Sequence, residues 1–109
     1  GCTGLKKAVT LPDSVKTIGA NAFSGCSKIP AVTIGKTSKS KLAAIGKSSF
    51  SGCKKLDKVT VKSTKLTSIG KSAFKGAKSS MKVKVPSKQW KKYKKILKKA
   101  GLKEKQVTK

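Results

Sequence analysis

The sequence predicts an α/β fold in which short parallel coils stack into a solenoid and one C-terminal helix covers the last coil. Three observations predict this fold. A glycine followed by cysteine or alanine recurs at Gly1, Gly25, Gly52 and Gly76, at intervals of 24, 27 and 24 residues. Apolar residues return at the same places inside each interval, and after residue 86 their spacing becomes helical. A coil this short cannot bury its apolar face alone, so the coils have to stack.

These intervals divide the chain into repeats, a helix and a tail. We expect about three and a half repeats, over residues 1–24, 25–51, 52–75 and 76–86. An amphipathic capping helix is expected over residues 87–101. The basic tail over residues 102–109 either adds a short edge strand through Val107 or stays loose. Because the chain opens inside the repeat unit, we also expect further repeats upstream in a longer protein.

Each repeat contains two predicted strands and a turn. The segment from Lys58 to Lys62 alternates apolar and polar residues and is rich in β-branched side chains, which is typical of a half-buried strand. A shorter strand follows between Leu66 and Ile69. The next stretch, residues 71–76, is too short for a stable helix, and we predict a single helical turn that Gly76 closes.

Stacking places equivalent apolar side chains above one another in a common core. Phe23, Phe50 and Phe74 each lie four residues after the glycine of a repeated Ile-Gly pair, so we expect them to form one column. The predicted core consists of Leu5, Ile18, Phe23, Cys26, Ile29, Ile45, Phe50, Cys53, Leu56, Val59, Ile69, Phe74 and Val83.

The segment after Pro86 predicts a helix with one apolar face. Trp90, Tyr93, Ile96 and Leu97 fall on that face. Ser87 is placed to cap the N-terminus, and Gly101 is placed to end the helix. We expect the four apolar residues to cover the last repeat, which would otherwise expose an apolar rung and a strand edge.

Two other roles for this helix remain open. It could lie on anionic lipid as a cationic amphipathic helix, or stack its aromatic side chains on single-stranded nucleic acid. The lysines of its polar face are candidate contacts with a polyanion, namely Lys91, Lys92, Lys94, Lys95, Lys98 and Lys99.

The charge of the chain limits its function. The 28 basic residues are all lysine, against three acidic residues and no histidine, which gives a formal net charge of +25. Without a base that titrates near neutral pH, most enzyme chemistry is excluded, and we predict no catalytic residue and no cofactor. The field of so many lysines should attract polyanions or acidic proteins. The absence of arginine argues against sequence-specific recognition of nucleic acid.

Cys2, Cys26 and Cys53 occupy one repeat position and should form a column. Zinc sites draw cysteines from close pairs such as Cys-x-x-Cys, and a linear column cannot enclose a tetrahedral ion. We expect buried thiols that act as small apolar groups, with a disulfide between adjacent coils as the alternative. The chain has no apolar run long enough to span a membrane, and its first residues do not form a signal peptide.

The repeats resemble a known family, the BspA-like leucine-rich repeats of bacterial cell-surface proteins. The unit of that family reads roughly Ile-Gly-x-x-Ala-Phe-x-Gly-Cys-x-x-Leu-x-x-Val-x-Ile-Pro, and residues 18–34 fit it, from Ile18-Gly19 through Ala22-Phe23 to Val32-Thr33-Ile34. The likeness covers about residues 1–86. Departures are the missing proline after Ile34 and Val61, a three-residue insertion within residues 35–41, and Ala77 in place of the last cysteine.

The resemblance implies a right-handed parallel solenoid, a secreted or surface location and a role in adhesion or protein binding, with no catalytic residues. We therefore predict a non-enzymatic surface module that presents lysine-rich repeats to a protein or to an anionic wall polymer or glycosaminoglycan. The alternative is a basic accessory protein that binds nucleic acid or anionic membrane non-specifically through the helix from Trp90 to Lys99.

Overall fold

Two parallel sheets carry the repeats in a computed structural model, which describes residues 7–78 and 80–109. The first sheet has the strand order β1 (Val9–Leu11), β3 (Ala31–Ile34), β5 (Lys58–Val61), β7 (Lys82–Lys84) and β8 (Val107–Thr108). The second sheet consists of β2 (Thr17–Ile18), β4 (Ala44–Ile45) and β6 (Ser68–Ile69). All strand pairs are parallel.

One helix, α1 (Trp90–Lys99), follows the seventh strand. A 3₁₀ turn over Ser87–Gln89 leads into it, and a second 3₁₀ turn over Glu104–Gln106 precedes β8. The parallel strands and the single C-terminal helix of the described residues confirm the predicted α/β repeat class.

The first sheet is held in register by its alternating pattern. Val9 pairs with Val32, Val32 with Val59, Val59 with Val83, and Val83 with Val107, so one valine column runs through all five strands. Val9 at its edge is half-buried, and the other four side chains are buried. Because side chains on a strand alternate between faces, a shift of one residue would expose this column, and the register is therefore fixed.

The second sheet brings the main chains of successive repeats close together. Ile18 pairs with Ile45 and Ile45 with Ile69, and Ile69 on the last strand is only half-buried. A Cβ on Gly46 would lie 2.6 Å from the backbone nitrogen of Ala20, and one on Gly70 would overlap the backbone of Lys47. Glycine is required at these two positions because only it leaves room for the neighbouring repeat.

A column of turns forms the third side of each repeat, over residues 19–25, 46–52 and 70–76, and we call it the turn column. The predicted helical turn is wrong: no helix forms here. Asn21, Ser48 and Ser72 have φ values of 61°, 56° and 62°, in the left-handed region, which interrupts any helix.

The hydrogen bonds of the turn column explain why a left-handed residue replaces a helix. Alternate N–H groups stay within a repeat, as Ser51 N–H donates to the Ser48 carbonyl oxygen at 3.2 Å. The others cross to the next repeat, as Phe50 N–H donates to the Ala73 carbonyl oxygen at 2.7 Å. In a helix all of these N–H groups would bond within one segment. In the turn column about half of them instead form hydrogen bonds with the next repeat.

The phenylalanine rings stack face to face along this column. The ring centroids of Phe23 and Phe50 lie 5.1 Å apart, and those of Phe50 and Phe74 lie 5.2 Å apart, with interplanar angles of 4° and 3°. Phe50 is fully buried between its neighbours, whereas Phe23 is half-buried.

The other predicted core residues lie as follows. Leu5 and Cys2 fall outside the described residues. Cys53 is buried, and its Sγ donates to the Phe23 carbonyl oxygen at 3.2 Å. The remaining predicted core positions with little exposure are Ile18, Cys26, Ile29, Ile45, Leu56, Val59, Phe74 and Val83. Several fully buried residues lie outside the predicted core, among them Leu42, Leu66, Ala73 and Met81.

The insertion within residues 35–41 is anchored by Asp13. Its carboxylate accepts hydrogen bonds from the backbone N–H groups of Thr37 at 3.0 Å and Lys36 at 2.8 Å, and from the Thr37 hydroxyl at 2.8 Å. The bonds from Thr37 are the main cause that lowers the pKa of Asp13 from its ordinary value. The extra residues are thus tied to the preceding repeat.

Replacing Phe50 by alanine should destabilise the protein by about 3–5 kcal/mol, because the change empties the middle of the stacked column. The same change at half-buried Phe23 should cost less. Chemical denaturation of both variants measures the difference. Equal, small losses for the two variants would contradict a packed phenylalanine column.

Replacing Ser49 by alanine should stabilise the protein, by up to about 1 kcal/mol. Ser49 is fully buried and its hydroxyl has no hydrogen-bond partner, while the equivalent positions hold Ala22 and Ala73. The control is Ser63→Ala, since the hydroxyl of this equally buried serine donates to the Leu42 carbonyl oxygen at 2.6 Å. Denaturation should give changes of opposite sign for the two variants.

Candidate functional site

The C-terminal helix packs its apolar face against the last repeat. Tyr93, Leu97 and Ala100 are buried, and α1 contacts both β6 and β8. Trp90 and Ile96 are half-buried. The four predicted cap residues therefore share one face, with the two outer ones at the margin of the contact.

The ends of the helix differ in how they are capped. No side chain caps the N-terminus, so the predicted role of Ser87 is wrong. Ser87 lies inside the preceding 3₁₀ turn, where Pro86 occupies the capping position. At the other end Gly101 has φ 106°, its N–H donates to the Lys98 carbonyl oxygen, and Leu102 N–H donates to that of Leu97. This is the glycine stop that the sequence predicts.

The hydroxyl of Tyr93 forms hydrogen bonds with two backbone groups of the last repeat. It donates to the Ser63 carbonyl oxygen at 2.7 Å and accepts from Leu66 N–H at 3.1 Å. Burial raises the pKa of Tyr93 above its ordinary value of 10.0, against a smaller opposite effect of the bond from Leu66. The hydroxyl therefore stays protonated and remains a donor at neutral pH.

Gln106 and β8 close the first sheet, and the sequence analysis did not single out Gln106. The amide nitrogen of this buried side chain donates to the Met81 carbonyl oxygen at 3.2 Å, and its amide oxygen accepts from Lys103 N–H at 3.0 Å. Val85 N–H donates to the Thr108 carbonyl oxygen at 2.8 Å. These hydrogen bonds could not be predicted from the sequence, because a single glutamine in a basic tail belongs to no repeated pattern.

Trp90 lies beneath two ammonium groups. The Nζ atoms of Lys94 and Lys109 each lie 5.5 Å from the centroid of its ring. Lys94 also pairs with Glu104, at 3.0 Å between Nζ and Oε1. That hydrogen bond, together with the charges of Lys94 and Lys98, lowers the pKa of Glu104. Lys94 is thus occupied within the molecule, unlike the exposed candidates on the helix, which are Lys91, Lys92, Lys95, Lys98 and Lys99.

Two grooves run between the helix and the last repeat. The larger has a volume of about 300 Å³ and is lined by Lys71, Ser72, Phe74, Lys75, Lys99, Ala100 and Gly101. The smaller has about 220 Å³ and is lined by Thr67, Ser68, Ile69, Ile96 and Lys99. Of the predicted polyanion contacts, Lys99 is the one that lines both grooves, and it meets two repeat lysines that the sequence analysis did not select.

In the part of the chain that the structure describes, no group of three or more histidine, cysteine or acidic residues is arranged to hold a metal ion. Over the same residues, no helix combines the length and the apolar character needed to cross a bilayer.

Replacing Tyr93 by phenylalanine should destabilise the protein by about 1–3 kcal/mol, because the change leaves a buried N–H and a buried carbonyl unpaired. The amide of Leu66 should also exchange faster with solvent. Denaturation and hydrogen exchange measure the two effects. Unchanged exchange at Leu66 would contradict the capping role of the hydroxyl.

Comparison with known proteins identifies the repeat. A family model described as "BspA type Leucine rich repeat region (6 copies)" matches residues 1–108, which is almost the whole chain. No curated protein and no solved structure matches it. Leucine-rich repeats generally mediate protein interactions, and the BspA-like ones are associated with bacterial surface proteins. The match confirms the resemblance read from the sequence: the chain belongs to the BspA-type leucine-rich repeat family.

Proposed function

We propose that this chain is a non-enzymatic binding and adhesion module of a secreted or cell-surface bacterial protein. It presents lysine-rich repeats to a protein or to an anionic polymer such as a wall polymer or a glycosaminoglycan. In this proposal residues 1–86 form a right-handed solenoid of about three and a half repeats. Residues 87–101 and the tail over 102–109 close its C-terminal end.

The main observation behind the proposal is that exposed lysines lie next to one another, which is unfavourable for the stability of the fold. Lys58 lies directly opposite Lys82 on neighbouring parallel strands, and both are exposed. Like charges at such cross-strand positions destabilise a sheet. Among residues 7–78 and 80–109, salt bridges neutralise Lys78, through Asp57, and Lys94, through Glu104. Stability of the fold does not account for a net charge of +25, whereas attraction of an acidic partner does.

Three observations support a binding function over catalysis. The chain contains no histidine. Asp57 and Glu104 are exposed and Asp13 is half-buried, and each is engaged in structure: Asp13 in the insertion, Asp57 with Lys78 and Glu104 with Lys94. Repeats of this family are typically non-enzymatic binding units.

The aromatic residues of the helix do not support the alternative of nucleic-acid or membrane binding. Tyr93 is fully buried and both of its hydrogen-bonding partners are backbone atoms of the last repeat. Trp90 is half-buried beneath two lysine ammonium groups. Stacking on bases or insertion into lipid requires exposed aromatic faces, which this arrangement does not offer.

Two charge-matched variants test which surface binds. Lys28, Lys58 and Lys62 are exposed repeat lysines, and Lys91, Lys92 and Lys95 are exposed helix lysines. Changing each set to glutamine removes the same charge. Heparin serves as the glycosaminoglycan probe, with binding measured at several salt concentrations because screening separates contact from long-range attraction.

We expect the repeat variant to lose more heparin affinity than the helix variant at near-physiological salt. A greater loss for the helix variant would favour the alternative. Absence of heparin binding by the unmodified chain would contradict the polyanion part of the proposal and leave an acidic protein as the partner.

A further inference from the structure

At its C-terminal end the turn column has three backbone N–H groups that find no acceptor among residues 7–78 and 80–109. In the middle turn of the column, residues 46–52, the equivalent groups donate to the last turn, residues 70–76: Ser48 to the Lys71 carbonyl oxygen at 3.2 Å, Phe50 to that of Ala73 at 2.7 Å, and Gly52 to that of Lys75 at 2.8 Å. In the last turn the corresponding donors are Ser72, Phe74 and Gly76, and within the described residues none of them donates a hydrogen bond. We call these three N–H groups the donor edge.

The carbonyl groups beside the donor edge are already occupied. Those of Lys71, Ala73 and Lys75 accept from the middle repeat. Those of Gly70, Ser72 and Phe74 accept within the last repeat, from Ala73 at 3.3 Å, Lys75 at 3.1 Å and Ala77 at 3.1 Å. The open groups at this edge are therefore donors alone, and a ligand must bring acceptors to satisfy them.

The C-terminal segment, residues 87–109, leaves the donor edge open, although it pairs other main-chain groups at the end of the repeats. The hydroxyl of Tyr93 satisfies Leu66 N–H, Gln106 satisfies the Met81 carbonyl group, and β8 pairs with β7. The helix turns away at Gly101, and between it and the turn column lies the larger groove, of about 300 Å³.

The charge of this groove matches the donor edge. Lys71, Lys75 and Lys99 line it together with Ser72 and Phe74, and none of its lining residues is acidic. All three lysines are exposed, and their ammonium groups form no salt bridge within the described residues. Two residues of the donor edge, Ser72 and Phe74, and the three lysines therefore line the same groove, and Gly76 follows directly after Lys75.

We infer that the donor edge and the larger groove bind an acidic peptide segment of a partner protein. Donors on alternate residues fit the carbonyl groups of an extended peptide, which point to one side at every second residue. Carboxylates of the peptide would pair with the three lysines. The inference rests on the proposed function, since it names the chemistry and the site of its protein partner.

Titration with a short poly-glutamate peptide, followed by the backbone amide signals of the ¹⁵N-labelled chain, tests this site. We expect the amide protons of Ser72, Phe74 and Gly76 to shift most and to become protected from exchange. The amides of Ser48, Phe50 and Gly52 serve as internal controls, because their hydrogen bonds are already made. Larger shifts on the helix or on the first sheet would overturn the inference.

A pair of charge-matched variants tests the lysines. Changing Lys71, Lys75 and Lys99 to glutamine should weaken poly-glutamate binding about tenfold at near-physiological salt, since three ion pairs are lost. Changing exposed Lys41, Lys54 and Lys55 removes equal charge away from the groove and should weaken it by no more than about threefold. Circular dichroism checks that both variants fold.

Each remaining outcome separates the site from the general function. Equal losses for the two variants would overturn the groove site while leaving the protein a polyanion-binding module. A response of the donor-edge amides to polyphosphate but not to poly-glutamate would show that the groove takes phosphate and would contradict an acidic peptide. If neither probe binds while heparin does, the site is wrong and the proposed function stands.

Discussion

The close approach of successive main chains is the constraint on which the structure depends. At Gly46 and Gly70 the backbones of neighbouring repeats leave no room for a Cβ atom. Only at this spacing can the phenylalanine rings stack at 5.1 and 5.2 Å and the turn column pass hydrogen bonds from one repeat to the next. Aromatic stacking and hydrogen bonding therefore depend on the same two positions, and a side chain there would weaken both at once.

A stack held together in this way must be closed where the repeats stop. The main-chain donors and acceptors of the last repeat have no further repeat to pair with. Those at the surface can bond to water, whereas the buried ones need a partner within the protein. Tyr93 and Gln106 satisfy the buried ones with side-chain groups, and β8 covers the strand edge. The turn column lies beyond the reach of these residues, so its donors stay open beside three lysines. The incomplete closure leaves the larger groove lined by these lysines and by two residues of the donor edge.

The strands of the two sheets could be predicted because their residues repeat along the chain. The hydrogen bonds that close the last repeat could not, because Gln106 has no counterpart in the other repeats. At positions that recur in every repeat, such as Val59 and Phe50, the contacts follow from the sequence, because equivalent residues of successive repeats stack on one another. The conformation of the turn column does not follow from its local sequence, because a short segment with glycine suits both a helical turn and a left-handed turn, and the hydrogen bonds to the neighbouring repeat decide between them. The partners of Gln106 lie 25 and 28 residues earlier in the chain, and no local pattern encodes that contact.

The polar side chains that close the last repeat, Tyr93 and Gln106, bind main-chain atoms of that repeat. Tyr93 bonds to the backbone of Ser63 and Leu66, and Gln106 to the backbone of Lys78 and Met81. Exposed side chains of the last repeat can therefore change during evolution without disturbing its closure. Lys71 and Lys75 at the groove take no part in this closure, so a change of either lysine would alter the charge of the groove while leaving the hydrogen bonds of Tyr93 and Gln106 in place.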